Sequence, residues 1–147
     1  MTTPEYKVVE WSGEPGLMVL ADDMATECGI EDFSPGAFME EALYAQRRMD
    51  NGIFVMIIDG EVVGGIIMSM ISPAWTRDYY ASARFMYIRP EHGGAIYHLI
   101  SAMRKWSLEK RCTVIQVCSN VRCRKDIGPF LKKKKFKKEE IVYTRDV

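Results

Sequence analysis

Gly93 and Gly94 stand side by side after Pro90-Glu91-His92, just before an amphipathic run that opens at Ile96. Glycines at such a junction let a backbone come close to a ligand with no Cβ in the way. The first N–H groups of a helix lack partners within the helix, and the helix dipole adds partial positive charge there. Together these features predict a seat for a pyrophosphate, with Ala95 and Ile96 supplying the first helical amides. A glycine pair before a helix is equally what a plain loop looks like, so the surrounding elements have to decide between the two.

Other candidate chemistry is sparse. The cysteines are Cys28, Cys112, Cys118 and Cys123, and the histidines are His92 and His98; none of these forms a CxxC pair or a zinc-type cluster. Free thiols in a reducing compartment are the plain reading. Lys132 to Lys138, broken only by Phe136, could meet a phosphate or a nucleic acid. The solvated face of a helix explains that run more simply. Glu31 and Asp32 could attract an amine, or serve as ordinary acids between two helices. His98, on the run after the glycines, reads as structural, and Met68, Met70 and Met86 read as core filler.

The 147 residues suit one domain spanning 1–147, and the 48% hydrophobic content suits a packed core. Twenty basic and 20 acidic residues cancel, so no whole-molecule field favours nucleic acid or membrane. No apolar run is long enough to span a bilayer, and the first ten residues lack a signal-like apolar core. A soluble, cytoplasmic protein is expected, and a homodimer is an assembly open to it.

Periodicity then orders the chain. Tyr6 to Trp11 reads as a strand. Leu17, Leu20, Met24 and Cys28 recur at helical spacing, with Gly29 closing that helix. Ser34-Pro35 opens a second helix with Phe38, Ala42, Ala45 and Met49 on its apolar face. Ile53–Ile58 and Val62–Ile71 flank Asp59-Gly60, a hairpin signal. Tyr79–Arg89 is a strand, Ala95–Lys110 a helix and Thr113–Cys118 another strand, so those two strands should be parallel neighbours. A helix is expected near Lys125–Lys135 and a closing strand at Ile141–Tyr143. The prediction is an α/β (α+β) domain with a central mixed sheet flanked by helices, in the order β-α-α-β-β-β-α-β-α-β.

That order resembles the GCN5-related N-acetyltransferase (GNAT) superfamily over nearly the whole chain. By motif the resemblance covers Tyr87 to Phe136. Tyr87-Ile88-Arg89-Pro90-Glu91-His92-Gly93-Gly94-Ala95 is similar to the family's strand and pyrophosphate loop, and Phe130 to Phe136 to its final-helix signature. The Pro-Glu-x-x-Gly form is similar to that of bacteriophage-encoded GNAT-like proteins. The resemblance implies acetyl-CoA as co-substrate. The backbone of Tyr87, Ile88 and Arg89 would pair with the pantetheine arm, which requires this strand to splay from Thr113–Cys118. Gly93, Gly94, Ala95 and Ile96 would hold the pyrophosphate, and Asn120 and Phe130 would add cofactor contacts. The acceptor would be an amine on a small molecule or a protein.

The sequence departs from the family pattern in several places. The loop is about two residues short, its usual Arg is missing, and Ile96 replaces its second glycine. Leu131 stands where the family often has a Tyr that protonates the departing thiolate, and Lys135 stands for the usual Gly. The central strand offers Tyr79, Tyr80, Ser82 and Arg84 but no carboxylate past Asp78, and Glu91 sits in the loop. No residue is therefore assigned as catalytic. An N-acetyltransferase acting mainly by positioning a neutral amine and a catalytically degenerate GNAT-fold binding or structural protein are both expected solutions.

Overall fold

In a computed structural model the described residues are 5–118, 128–137, 145 and 147. One five-stranded sheet runs in the order β1-β2-β3-β4-β5. Its strands are β1 (Lys7–Glu10), β2 (Asn51–Ile58), β3 (Glu61–Ile71), β4 (Tyr80–Ile88) and β5 (Val114–Val117). The helices are α1 (Gly16–Glu27), α2 (Pro35–Gln46), α3 (Ile96–Glu109) and α4 (Gly128–Lys133). The sheet is antiparallel up to β4, and β4 pairs β5 in parallel. The expected α/β architecture with a mixed sheet is present. The closing strand at 141–143 lies outside the described residues.

Local chemistry explains most boundaries. Ser34 Oγ accepts from the Ala37 amide at 3.2 Å, and Pro35 follows at the first helical position; such a cap is worth ~1 kcal/mol. Asp59 and Gly60 both take positive φ, 50° and 78°, as a two-residue primed hairpin turn requires. α1 buries Leu17, Leu20, Ala21 and Ala25, and its end turns through Gly29 at φ 67°. Leu99 and Met103 of α3 are fully buried and Trp106 nearly so, the spacing of an amphipathic stripe.

Three expectations need correction. Met49 is not on the buried face of α2. The helix ends at Gln46 and Met49 is 85% exposed in the turn beyond it. The stretch Glu91–Gly94 is not an open loop, because Pro90–Ala95 winds as a 3-10 helix and α3 starts at Ile96 rather than Ala95. Cys28 is disulfide-bonded rather than a free thiol, whereas Cys112 and Cys118 are free.

The sheet separates two apolar cores. On one face Trp11, Leu17, Ala42, Ala45, Ile53, Val55 and Ile67 pack with α1 and α2, and Phe85 joins them. On the other, Met56, Ile66, Met68, Ala81 and Ala83 pack against Leu99, Met103 and Trp106 of α3, with Met70, Met86 and Ile88 joining. The three methionines read as core filler are core.

Candidate active site

Strand alternation makes β4 informative. Ala81 and Ala83 face α3, so Phe85 should face it too. Instead Phe85 lies on the α1/α2 side, while Met86 and Ile88 lie on the α3 side. The register shows why. Ile67 pairs with Phe85 and Met68 with Ala83, so Arg84 is one extra residue on β4. A bulge of this kind bends its strand and re-aims the side chains beyond it.

The bulge falls where β5 stops pairing. Described ladder partners run from Tyr80↔Val114 to Ala83↔Val117; among the described residues, 84–88 pair with β3 on one side and with no strand on the other. A strand edge with unpaired N–H and C=O groups is a template for another extended chain. The splay expected between this strand and Thr113–Cys118 turns on the chain beyond Cys118, and residues 119–127 lie outside the described residues.

Beyond the bulge, Phe85, Tyr87 and Arg89 point to the α1/α2 layer. Phe85 meets the Phe38 ring edge-on at 5.2 Å between centroids. The Tyr87 hydroxyl donates to Glu27 Oε2, and Arg89 Nη1 pairs with Asp23 Oδ2. The spacings match, because residues two apart on a strand share a face and residues four apart on a helix share a face. Burial first, then the bond to Glu27 and the charges of Glu27 and Asp23, push the Tyr87 phenol well above the ordinary tyrosine range. Arg89 Nε is buried with no hydrogen-bond partner among the described residues. Glu27 and Asp23 were not among the candidates read from the sequence. A signal was there: between Val8 and Gln46 the chain has nine acidic residues and no Lys or Arg.

Gly93, Gly94 and Ala95 sit in the 3-10 helix, with His92 N–H donating to Arg89 O at 2.9 Å and Ile96 N–H donating to Gly93 O. At Gly94 an added Cβ would meet nothing within 4 Å, so the space before it is open. A shallow depression of about 230 Å³ adjoins this turn, lined by Tyr6, Glu91, His92, Gly94, Ala95 and Tyr97. Tyr6 OH lies 2.9 Å from His92 Nδ1, and the His98 ring lies 4.1 Å from that of Tyr97. Phe130 is half-buried on α4 with Lys134 Nζ 5.9 Å from its ring centroid. No ring contact or ion pair among the described residues joins Phe130 to the glycine turn. Asn120 lies outside the described residues. Glu31 and Asp32 are exposed, and no hydrogen bond or ion pair among the described residues draws them to β4.

The fold can now be compared with known structures. A transcriptional regulator from Bacillus halodurans C-125 superposes with a TM-score of 0.80 at 15% identity, over 97% of this chain and 100% of that one. The fold is that of the GNAT acetyltransferases. AAC(6')-Iy, solved with the bisubstrate analog CoA-S-monomethyl-acetylneamine, gives 0.76 at 12% identity over 99% of each chain. The aminoglycoside 6'-N-acetyltransferase AAC(6')-Ih from Acinetobacter baumannii gives 0.71 at 14% over 97% and 99%. No protein-family model and no curated protein matches the sequence.

Among the described residues no group of His, Cys, Asp and Glu could hold a metal ion, and no helix there is long and apolar enough to cross a membrane.

Proposed function

We propose that this protein is an N-acetyltransferase that moves an acetyl group from acetyl-CoA to an amine. The carrying observation is the second half of β4, residues 84–88, which among the described residues pairs only with β3 and ends beside a glycine turn with open space at Gly94. One structural neighbour, AAC(6')-Iy, supports it, having been solved both with a CoA bisubstrate analog and with CoA. Bound there, acetyl-CoA supplies the activated thioester. The backbone of Tyr87, Ile88 and Arg89 would pair with its pantetheine arm as a neighbouring strand does. Gly93, Gly94, Ala95 and Ile96 would face its pyrophosphate, with Asn120 and Phe130 as further contacts. A β4 amide aimed at the thioester carbonyl would stabilise charge developing on its oxygen.

The test is calorimetry with millimolar acetyl-CoA on wild type and Gly94→Glu. Wild type is expected to bind, and Gly94→Glu to lose binding with its stability within about 0.5 kcal/mol of wild type, as for an open surface position. Absence of heat and of any thermal shift in wild type would overturn the reading.

A second reading, a GNAT-fold protein that binds a partner without catalysis, is favoured by Leu131. That side chain is only 8% exposed and has no proton to give a thiolate. Cofactor binding with no release of CoA from acetyl-CoA in the presence of any amine would favour it.

A further inference from the structure

The glycine turn after β4 has little of its own to hold it. Pro90–Ala95 has no side-chain cap at its start, and Gly93 and Gly94 have no side chains with which to fix themselves. Glycine loses more conformational freedom on ordering than any other residue, so this turn needs support from outside. Among the described residues one side-chain hydrogen bond reaches it: the Tyr6 hydroxyl and His92 Nδ1 share it at 2.9 Å, across 86 positions of the chain. The Tyr6 end of that bond is firmly seated. Tyr6 immediately precedes β1, which pairs with β2 from Lys7↔Ile57 onward, and its ring packs against the core on the α3 side. That ring meets His92 edge-on at 5.7 Å between centroids and lies 5.6 Å from the ring of His98, a residue in the first turn of α3. One phenol thus touches both the 3-10 turn and the start of the helix behind it, on either side of the junction at Ala95 and Ile96.

We propose that Tyr6, acting through His92, is a positioning residue for the cofactor: it holds Gly93 and Gly94 in the conformation that receives the pyrophosphate of acetyl-CoA before the cofactor arrives. The inference rests on the acetyltransferase reading. A seat that is already ordered costs less to occupy. Removing its support therefore shows as lost affinity for the part of the ligand that the seat receives. That selectivity separates the role from a plain tie between the start of β1 and α3. A plain tie, once cut, weakens the fold without distinguishing a ligand that carries the pyrophosphate from one that does not.

Tyr6→Phe removes the hydroxyl and keeps its ring, and His92→Phe keeps a ring without the nitrogen. The probes are acetyl-CoA and acetyl-pantetheine, the same thioester without the pyrophosphate. Calorimetry reads their affinities, and amide hydrogen exchange reads the order of residues 90–97. Expected in each variant is a loss of about three- to tenfold in acetyl-CoA affinity, the size of one hydrogen bond. Acetyl-pantetheine affinity should stay within about twofold of wild type. The double variant should lose no more than the weaker-binding single one, because both changes remove the same bond. In ligand-free protein, exchange at 90–97 should be faster in Tyr6→Phe than in wild type, and saturating acetyl-CoA should slow it in both. Should His92→Phe fail to fold, Tyr6→Phe carries the test by itself. Unchanged acetyl-CoA affinity in Tyr6→Phe overturns the inference, as does an equal loss for both thioesters or exchange at 90–97 that the variant leaves unchanged. Wild type that binds acetyl-CoA no better than acetyl-pantetheine overturns this inference alone, because no pyrophosphate seat is then in use. Wild type that does not bind acetyl-CoA overturns the underlying reading.

Discussion

Residues 80–83 and residues 84–88 share one strand but have different neighbours. The first segment is paired on both sides, to β3 and in parallel to β5, and Ala81 and Ala83 are 0% and 6% exposed beneath α3. Among the described residues the second pairs only with β3, and none of its residues is fully buried. Its α1/α2 face is held by side chains: Phe85 on Phe38, Tyr87 on Glu27, and Arg89, just past the strand, on Asp23. The bulge at Arg84 is the boundary. A regular strand would have sent Phe85 into the α3 core and left the α1 side without these contacts. The difference teaches that one bulge can hand the second half of a strand's side chains to the opposite layer.

The comparison can be broken most severely in the first segment. Ala81→Asp buries a carboxylate with no partner, and a loss of about 3–5 kcal/mol is expected in denaturant unfolding. A well-folded Ala81→Asp would show that this half is not the rigid part of the strand. Next in size is Leu131→Tyr. The site is 8% exposed, so overpacking should cost about 1–3 kcal/mol with no gain in CoA release. A faster enzyme would mean that the new hydroxyl reaches the thiolate.

The second segment should respond through pH. The folded-state value of the Tyr87 phenol is raised, so the stability it contributes is complete below the unfolded tyrosine value of about 10. It is lost as pH rises from there toward the folded value. Wild type should therefore lose stability relative to Tyr87→Phe only on the alkaline side, and its phenol absorbance should finish titrating at higher pH than that of Tyr87→Phe. Parallel stability curves from pH 7 to 12 would refute the contact. The smallest effect belongs to the boundary itself. Arg84 and Glu41 are 3.4 Å apart with side chains 50% and 63% exposed, so Arg84→Ala should change stability by less than about 1 kcal/mol, falling toward zero in high salt. A larger loss would mean that the side chain, and not the backbone, sets the bulge.

Much of the fold follows from local rules. Ser34-Pro35 caps a helix and Asp59-Gly60 closes a hairpin because few other residues suit those conformations. The 3.6-residue recurrence of Leu99, Met103 and Trp106 buries one stripe of α3. A strand, a helix and a second strand in succession imply a parallel pair. Met49 was misplaced because an apolar residue at helical spacing continues a pattern whether or not the chain does. Register was beyond the sequence. β4 carries apolar residues on both faces, so its alternation alone does not say where an extra residue falls. The extra residue at Arg84 is set by pairing with β3, and the end of β5 pairing at Ala83 by where Val117 lies. The acids between Val8 and Gln46 are plain in the sequence, but helical spacing alone does not say which of them meets β4. Only the packing of α1 across the sheet gave Asp23 a cation and left Glu27 facing a phenol, because the partner of a carboxylate is whatever tertiary contact brings within a hydrogen bond of it.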